Sequence, residues 1–358
     1  MPVYLSGDAS HQNGFAPASR TSNATFPGGD SRYIHIGLIN NMPDGALQAT
    51  ERQFLTLLQA AAEDVKVRLS LYALPEVPRS EAGRRHIRNC YCRFEDLWDM
   101  HVDALIVTGT EPKAAELSDE PYWQNFTKLL DWAEENTNSS IWSCLAAHAA
   151  VLHQNGIRRH RFAEKRFGVF ECAQTSQHPL NNGLASNVRV PHSRWNDIRE
   201  DGLTESGYRV LTRSIDGGVD SFVKRNKSLF VYFQGHPEYE ADTLLLEYRR
   251  DIGRYIRGER ATYPPLPVGY FDRNAIDALT AIQERALSSR SADALSDFPA
   301  AIAAKGVSNG WRSFAVSFYR NWLAYLQAEK ERHLKSRPAF SEHAARRSAL
   351  SSRVAASD

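Results

Sequence analysis

The chain reads as an α/β protein built on a mostly parallel β-sheet with helices on both faces, and three observations point there. Short apolar runs alternate with segments of helical period through the first half of the sequence, the signature of strand–helix–strand units. The run Ala104 to Val107 is apolar at every position, as expected of a strand covered on both faces. Two further strand-like runs end in reactive side chains: Ser139 to Ser143 runs into Cys144, and Ser228 to Gln234 runs into Gly235-His236-Pro237-Glu238. In open parallel sheets ligands collect at the carboxyl ends of the strands, so two such ends can meet.

Taken in order, Tyr33 to Ile39 reads as the first strand and Leu47 to Ala61 as a helix, with Phe54, Leu55, Leu57 and Leu58 as its buried stripe. Val65 to Leu74 is a second strand and Ala104 to Val107 a third. A helix near Tyr122 to Glu135 leads to the strand before Cys144, and Leu145 to Gln154 reads as the helix after it. Tyr208 to Leu211, Ser221 to Lys224 and Leu229 to Phe233 read as adjacent, partly antiparallel strands that return His236 towards Cys144. A helix from about Glu240 to Ile256 carries Arg250. Beyond Pro264-Pro265 the composition turns to Ala, Ser and Asp, and residues 286–310 have helical propensity without apolar patterning, which predicts a peripheral helix pair or a mobile loop. Trp311, Phe314, Phe318, Trp322 and Tyr325 form an aromatic i, i+3, i+4 face, read as packing or a dimer surface. The expected organisation is one domain over 32–330 with an insertion at about 280–310, between a flexible segment 1–31 and a disordered tail 331–358.

Composition bounds the function. A chain of 358 residues with 42% hydrophobic residues can bury a large core. The formal charge of +1 supplies no field to attract nucleic acid or a membrane, and no basic stripe is interleaved with aromatics, so neither partner is expected. No run approaches transmembrane length, and residues 1–31 lack the apolar stretch of a signal peptide, which predicts a cytoplasmic protein. Four cysteines, Cys90, Cys92, Cys144 and Cys172, make neither a disulfide framework nor a zinc spacing. Cys90-Tyr91-Cys92, read as an extended segment, puts two thiols on one side with no further ligands. No metal is expected.

Cys144 carries the chemistry. A cysteine at a strand-to-helix turn faces free backbone N–H groups and the positive end of the helix dipole, which stabilise a thiolate and then the oxyanion of an attacked carbonyl. The bland alternative is a buried structural thiol. His236 as general base and Glu238 as the carboxylate that orients it complete a nucleophile–base–acid set.

Many short segments in one order resemble the homoserine O-succinyltransferase family. They include Ile39-Asn40-Asn41-Met42-Pro43, Thr50-Glu51-Arg52-Gln53-Phe54-Leu55, Leu105-Ile106-Val107-Thr108-Gly109, Gly168-Val169-Phe170-Glu171, Pro191-His192-Ser193-Arg194, Gly235-His236-Pro237-Glu238-Tyr239 and Glu247-Tyr248-Arg249-Arg250-Asp251. The resemblance covers about Tyr33 to Tyr325. It implies a class I glutamine-amidotransferase-like (flavodoxin-like) fold with a C-terminal helical extension. It further implies Cys144 as the acylated nucleophile, His236 as base, Glu238 as its partner, and Lys165, Ser193 and Arg250 as substrate-binding residues. The implied reaction moves a succinyl group from acyl-CoA, a co-substrate and not a bound cofactor, to the hydroxyl of homoserine by a ping-pong route in methionine biosynthesis, in a homodimer.

The departures sharpen the reading. Where the family typically has Cys-Trp-Gly-Ala-Gln, this chain has Cys144-Leu145-Ala146-Ala147-His148. Leu145 still offers its backbone N–H to an oxyanion, and His148 is either a second polar group near the acyl site or a packed helix residue, with packing preferred. Asp44-Gly45 stands where the family has lysines. At the position that sorts acyl groups this chain has Lys113, whose ammonium suits the free carboxylate of a succinyl group. The alternatives are an acetyl-CoA-dependent transferase, acylation of a related hydroxy amino acid, a glutaminase-like hydrolase and a noncatalytic homologue.

Overall fold

A computed structural model describes residues 3–5, 32–291, 298, 305–307 and 309–336. The described strands are β1 (Val3–Leu5), β2 (Ile34–Ile39), β3 (Val67–Tyr72), β4 (Ala104–Val107), β5 (Ser139–Ser143), β6 (His160–Gln174), β7 (Asn187–Asp197), β8 (Arg209–Ser214), β9 (Gly218–Arg225) and β10 (Leu229–Phe233). They form one sheet in the order β1-β3-β2-β4-β5-β10-β9-β8-β6-β7. From β1 to β10 every neighbouring pair is parallel, and from β10 to β7 every pair is antiparallel. β10 is therefore the seam between two kinds of sheet.

The described α-helices are α1 (Asp44–Ala61), α2 (Glu81–Cys90), α3 (Trp123–Asn136), α4 (Leu145–Asn155), α5 (Glu200–Glu205), α6 (Thr243–Ile256), α7 (Arg273–Ser289) and α8 (Arg312–Ser336). Alternate strand residues sort the core into two layers, because successive side chains leave opposite faces. Ile36, Leu38, Ala104, Ile106 and Ile141 pack with Phe54, Leu57 and Leu58 of α1 and Phe318, Trp322 and Leu326 of α8. Ile39, Leu105, Val107 and Trp142 pack with Phe126, Leu129 and Leu130 of α3 and the alanines of α4. A continuously apolar β4 is what two covered faces require. The expected mostly parallel, two-faced sheet is thus the one observed.

The aromatic face of α8 is packing. Trp311, Phe314, Phe318 and Trp322 are buried, Trp322 Nε1 donates to Ser139 Oγ (2.9 Å) and Trp311 Nε1 donates to the Tyr239 carbonyl (2.8 Å). Lys330 pins the same helix under the sheet, its Nζ donating to Asp103 Oδ2 (2.8 Å) and to the Tyr33 carbonyl (2.6 Å).

Several elements differ from expectation for physical reasons. α1 starts at Asp44, whose carboxylate takes the Ser80 N–H (2.7 Å) and pairs with Arg79, fixing the helix start further upstream. Cys90 ends α2 and is not part of an extended segment; Ser80 caps that helix by accepting from the Gly83 N–H (3.2 Å). β6 and β7 are strands the sequence reading does not mark, the first rich in charge and the second carrying Pro191. β7 is an edge strand, where a missing N–H is tolerated. Val3–Leu5 adds an edge strand within the expected flexible segment; the remainder of 1–31 lies outside the described residues. Of the expected insertion, α7 is described, whereas 292–297, 299–304 and 308 are not. α8 runs on to Ser336, past the expected boundary at 330, and 337–358 lie outside the described residues.

Candidate active site

The register of the parallel pair builds the centre of the site. Phe233 of β10 lies opposite Ser143 of β5, so the two strands end level and their next residues are neighbours. The Cys144 N–H donates to the Phe233 carbonyl (2.7 Å), tying Cys144 to the strand that leads to His236. Cys144 has φ 51° and ψ −110°, a left-handed backbone unusual for a non-glycine residue, and α4 begins at the next residue. This is the sharp strand-to-helix turn that presents a nucleophile at the top of a sheet. The first N–H groups of α4 have no intrahelical partner and no side chain caps them.

Gly109, just after β4, faces that helix start. A Cβ placed there would lie 2.5 Å from Leu145 Cβ and 3.0 Å from the Leu145 amide nitrogen, so glycine alone lets the β4 loop approach. Asn41 holds the neighbouring loops: its N–H donates to Thr108 Oγ1 (2.8 Å), its Nδ2 to the Thr108 carbonyl (3.1 Å), and its Oδ1 accepts from the Leu74 N–H (3.1 Å). Gly109, Thr110, Tyr122, Phe126, Leu145 and Ala149 line an apolar recess beside the Leu145 amide.

His236 and Glu238 are both buried, with His236 Nδ1 2.8 Å from Glu238 Oε1. Glu238 Oε1 also accepts from Ser143 Oγ (3.3 Å). With Nδ1 committed to the carboxylate, Nε2 is the nitrogen left for the Cys144 thiol. Burial disfavours the imidazolium, but the Cys144 thiolate and then the Glu238 carboxylate outweigh it, and His236 is held well above the usual histidine range. Tyr239 stacks on the imidazole, with ring centroids 4.3 Å apart and planes 14° apart.

Lys165 of β6, Ser193 of β7 and Arg250 of α6 are brought together around two carboxylates that the sequence reading leaves unassigned, Glu247 and Asp251. Ser193 Oγ donates to Glu247 Oε2 (2.5 Å), Lys165 Nζ lies 3.4 Å from Glu247 and 3.4 Å from Asp251, and Arg250 Nε donates to Asp251 Oδ1 (2.9 Å). Tyr239 Oη donates to Glu247 Oε1 (2.6 Å), which joins this cluster to the ring stacked on His236. Burial raises the Glu247 pKa, yet Lys165 and Arg250 outweigh it and the carboxyl stays below its ordinary value. Both acids lie one and two helical turns from the start of α6, in the quoted Glu-Tyr-Arg-Arg-Asp run, so their spacing on one helix face was the signal available.

The other singled-out residues divide. Leu145 stands where its amide can meet an oxyanion. Lys113 is exposed; its backbone N–H and that of Ala114 donate to Glu120 Oε1 (2.5 and 2.7 Å), and its side chain makes no hydrogen bond or ion pair within the described residues. His148 is a packed residue, 3% exposed, with Nε2 2.9 Å from Gln234 Oε1. Burial, with Arg194 and Arg159 nearby, lowers its pKa to about 3. Cys172, His192 and Asp220 form a buried group with ligand-type atoms within 4.8 Å of one another. Arg194 Nε donates to His192 Nδ1 (3.2 Å), so the proton of a neutral His192 sits on Nε2, facing Asp220 Oδ1 at 3.3 Å. That nitrogen has no lone pair for a cation, which makes the group a histidine–carboxylate pair. No described helix is long and apolar enough to cross a membrane.

Comparison with known proteins gives the same reading from a separate direction. The family model for homoserine O-succinyltransferase matches residues 18–333. A homoserine O-succinyltransferase of Rhodopseudomonas palustris is 48% identical over 316 residues, 88% of this chain and 95% of the relative. One of Methylorubrum extorquens is 44% identical over 295 residues, 82% of this chain and 88% of the relative. Among solved structures, a glutamine amido transferase from Methylobacillus Flagellatus aligns with a TM-score of 0.49 and 13% identity over 82% of this chain and 95% of that one. With the family model spanning β2 to β10, the Cys144 turn and the α6 cluster, the chain belongs to the homoserine O-succinyltransferase family.

Proposed function

We propose that the protein transfers a succinyl group from succinyl-CoA to the hydroxyl of homoserine through a thioester on Cys144. The observation that carries this reading is the Cys144–His236–Glu238 set at two level strand ends, with His236 Nδ1 2.8 Å from Glu238. In the first half-reaction the Cys144 thiolate attacks the thioester carbonyl. The oxyanion is met by the Leu145 N–H at the start of α4, where donors are oriented before charge develops. The tetrahedral adduct collapses, the C–S bond to CoA breaks, and the CoA sulfur takes the proton from His236. In the second half-reaction His236 removes the hydroxyl proton of homoserine as its oxygen attacks the acyl carbonyl, and collapse releases Cys144 as thiolate beside protonated His236. The charges therefore return to their starting state, as ping-pong covalent catalysis requires.

The acceptor is read by the α6 cluster. Arg250 offers a planar fork to the amino-acid carboxylate, Lys165 and Ser193 flank it, and Lys113 pairs with the terminal carboxylate of the succinyl group.

Intact-mass measurement tests this directly. Incubation with succinyl-CoA should add one succinyl group to the native chain and none to Cys144→Ser, and homoserine should then discharge it. A chain that takes no acyl group but hydrolyses glutamine would be the glutaminase instead. Comparing kcat/KM for succinyl-CoA and acetyl-CoA in Lys113→Glu checks the donor: the ratio should fall, and an unmoved ratio removes Lys113 from the account.

A further inference from the structure

His148 touches both catalytic segments at once. Its backbone N–H donates to the Cys144 carbonyl (3.2 Å), one turn back along α4. Its side chain, 2.9 Å from Gln234 Oε1, reaches the residue that leads into Gly235-His236. The orientation of the Gln234 amide is fixed by its other partners. Oε1 accepts from the Ile198 N–H (3.0 Å), while Nε2 donates to the Val219 carbonyl (2.8 Å) and to Asp197 Oδ1 (3.2 Å). An oxygen facing His148 means that His148 donates, so its proton is on Nε2.

The turn that follows is clamped on its other sides. The Gln234 N–H donates to the Asp220 carbonyl (2.7 Å) and the His236 N–H to the Pro191 carbonyl (2.8 Å). A Cβ at Gly235 would lie 2.5 Å from Asp220 Oδ1, 2.7 Å from Val190 Cγ1 and 3.0 Å from His192 Cε1. These contacts hold the base to β7 and β9, on the antiparallel side. The nucleophile belongs to the parallel side, and the His148–Gln234 bond links the helix that follows it to the residue that leads into the base.

We propose that His148 is a positioning residue whose Nε2–H···Gln234 bond sets the spacing between the nucleophile helix and the turn carrying the base. The reaction needs this because Cys144 and His236 must keep hydrogen-bond contact while an acyl group arrives, is held and leaves. A displacement of about 1 Å at such a contact costs on the order of a hundredfold in rate. His148 does not itself exchange protons with the substrate: buried and hydrogen-bonded as a donor, it stays neutral and leaves base catalysis to His236.

Steady-state and single-turnover kinetics on three substitutions test the assignment. Asparagine places its N–H where Nδ1 stands, too short to reach Gln234, leucine has no donor, and glutamine restores one at full reach. His148→Asn and His148→Leu should lower kcat by about ten- to a hundredfold in both half-reactions with both KM values within about twofold, and His148→Gln should recover most of the loss. Because the two side chains act as one strut, His148→Leu/Gln234→Leu should lose no more kcat than the worse single variant. If His148→Leu fails to fold, the Asn and Gln pair carries the comparison. Unchanged kcat in His148→Asn, no rescue by Gln, an effect on KM alone, or additive losses in the double variant would each overturn the proposal. It rests on the Cys144–His236 reading but fails separately from it: a Cys144→Ser chain with native turnover removes the reading, whereas the His148 outcomes are read in a chain that still acylates at Cys144.

Discussion

At the scale of single residues, Cys144 and Glu238 together raise the His236 pKa against the effect of burial. Burial alone would push the imidazole towards the neutral form, and the thiolate is the largest influence opposing it, followed by Glu238. Cys144→Ala removes that influence while leaving Glu238 in place, so His236 should titrate at lower pH in the variant. Following the imidazole carbon-bound proton resonances across pH checks this, and an unmoved midpoint would separate the two residues. The linkage has a definite sign. A folded-state pKa raised above the ordinary 6.5 means that the stability contributed by protonated His236 is complete below pH 6.5 and is lost as pH rises through the raised value.

At the scale of elements, the β4 loop and the start of α4 define the acyl site by their closeness. Gly109→Ala would drive a methyl into Leu145 and displace the amide proposed to meet the oxyanion. Loss of one such donor typically costs about a hundred- to a thousandfold in kcat, so this substitution should lower the rate of Cys144 acylation by at least about tenfold, together with a lowered melting temperature from the forced shift. A native acylation rate would show that the oxyanion lies elsewhere. The same elements show what sequence can and cannot reveal. β4 and β10 were legible because burial on both faces writes itself as unbroken apolar runs, β2 and β5 because short strand-like runs alternate with helical segments, and Cys144 and His236 because each follows a strand-like run. β6 and β7 were not, since their charged and proline-containing sequences carry no such pattern. Glu247 was quoted within a motif but given no role, because its role arises only when Lys165, 82 residues away, and Ser193, 54 residues away, fold against it. Gln234 was read as the last residue of a strand for the same reason. Its partners come from α4, β9 and the segment around Asp197.

At the scale of the whole molecule, α8 closes one face of the sheet and Lys330 anchors it beside the amino ends of β2 and β4, at the far end of the strands from Cys144. Burial raises the Asp103 pKa, but His101 at 3.6 Å and the hydrogen bonds from the His35 N–H and Lys330 outweigh it, and the carboxyl is held below its ordinary value. Lys330→Met strands that buried carboxylate and should cost about 3 kcal/mol of stability at neutral pH. A lowered folded-state pKa contributes stability that is present above pH 3.8 and lost as pH falls through the folded value, so the gap in melting temperature between native and variant should close in acid. A gap that persists unchanged would assign the loss to packing. The left-handed turn at Cys144 bears on the molecule's stability from the other end. A side chain held at φ 51° is strained by about 1–3 kcal/mol, which glycine escapes. At most positions alanine outranks glycine by about 0.5–1 kcal/mol, but here the order should invert, with Cys144→Gly melting above Cys144→Ala in calorimetry. A chain selected for endurance alone would place glycine at this position; here a cysteine is retained at a standing thermodynamic loss, which makes the turn a point of mechanical tension in the fold.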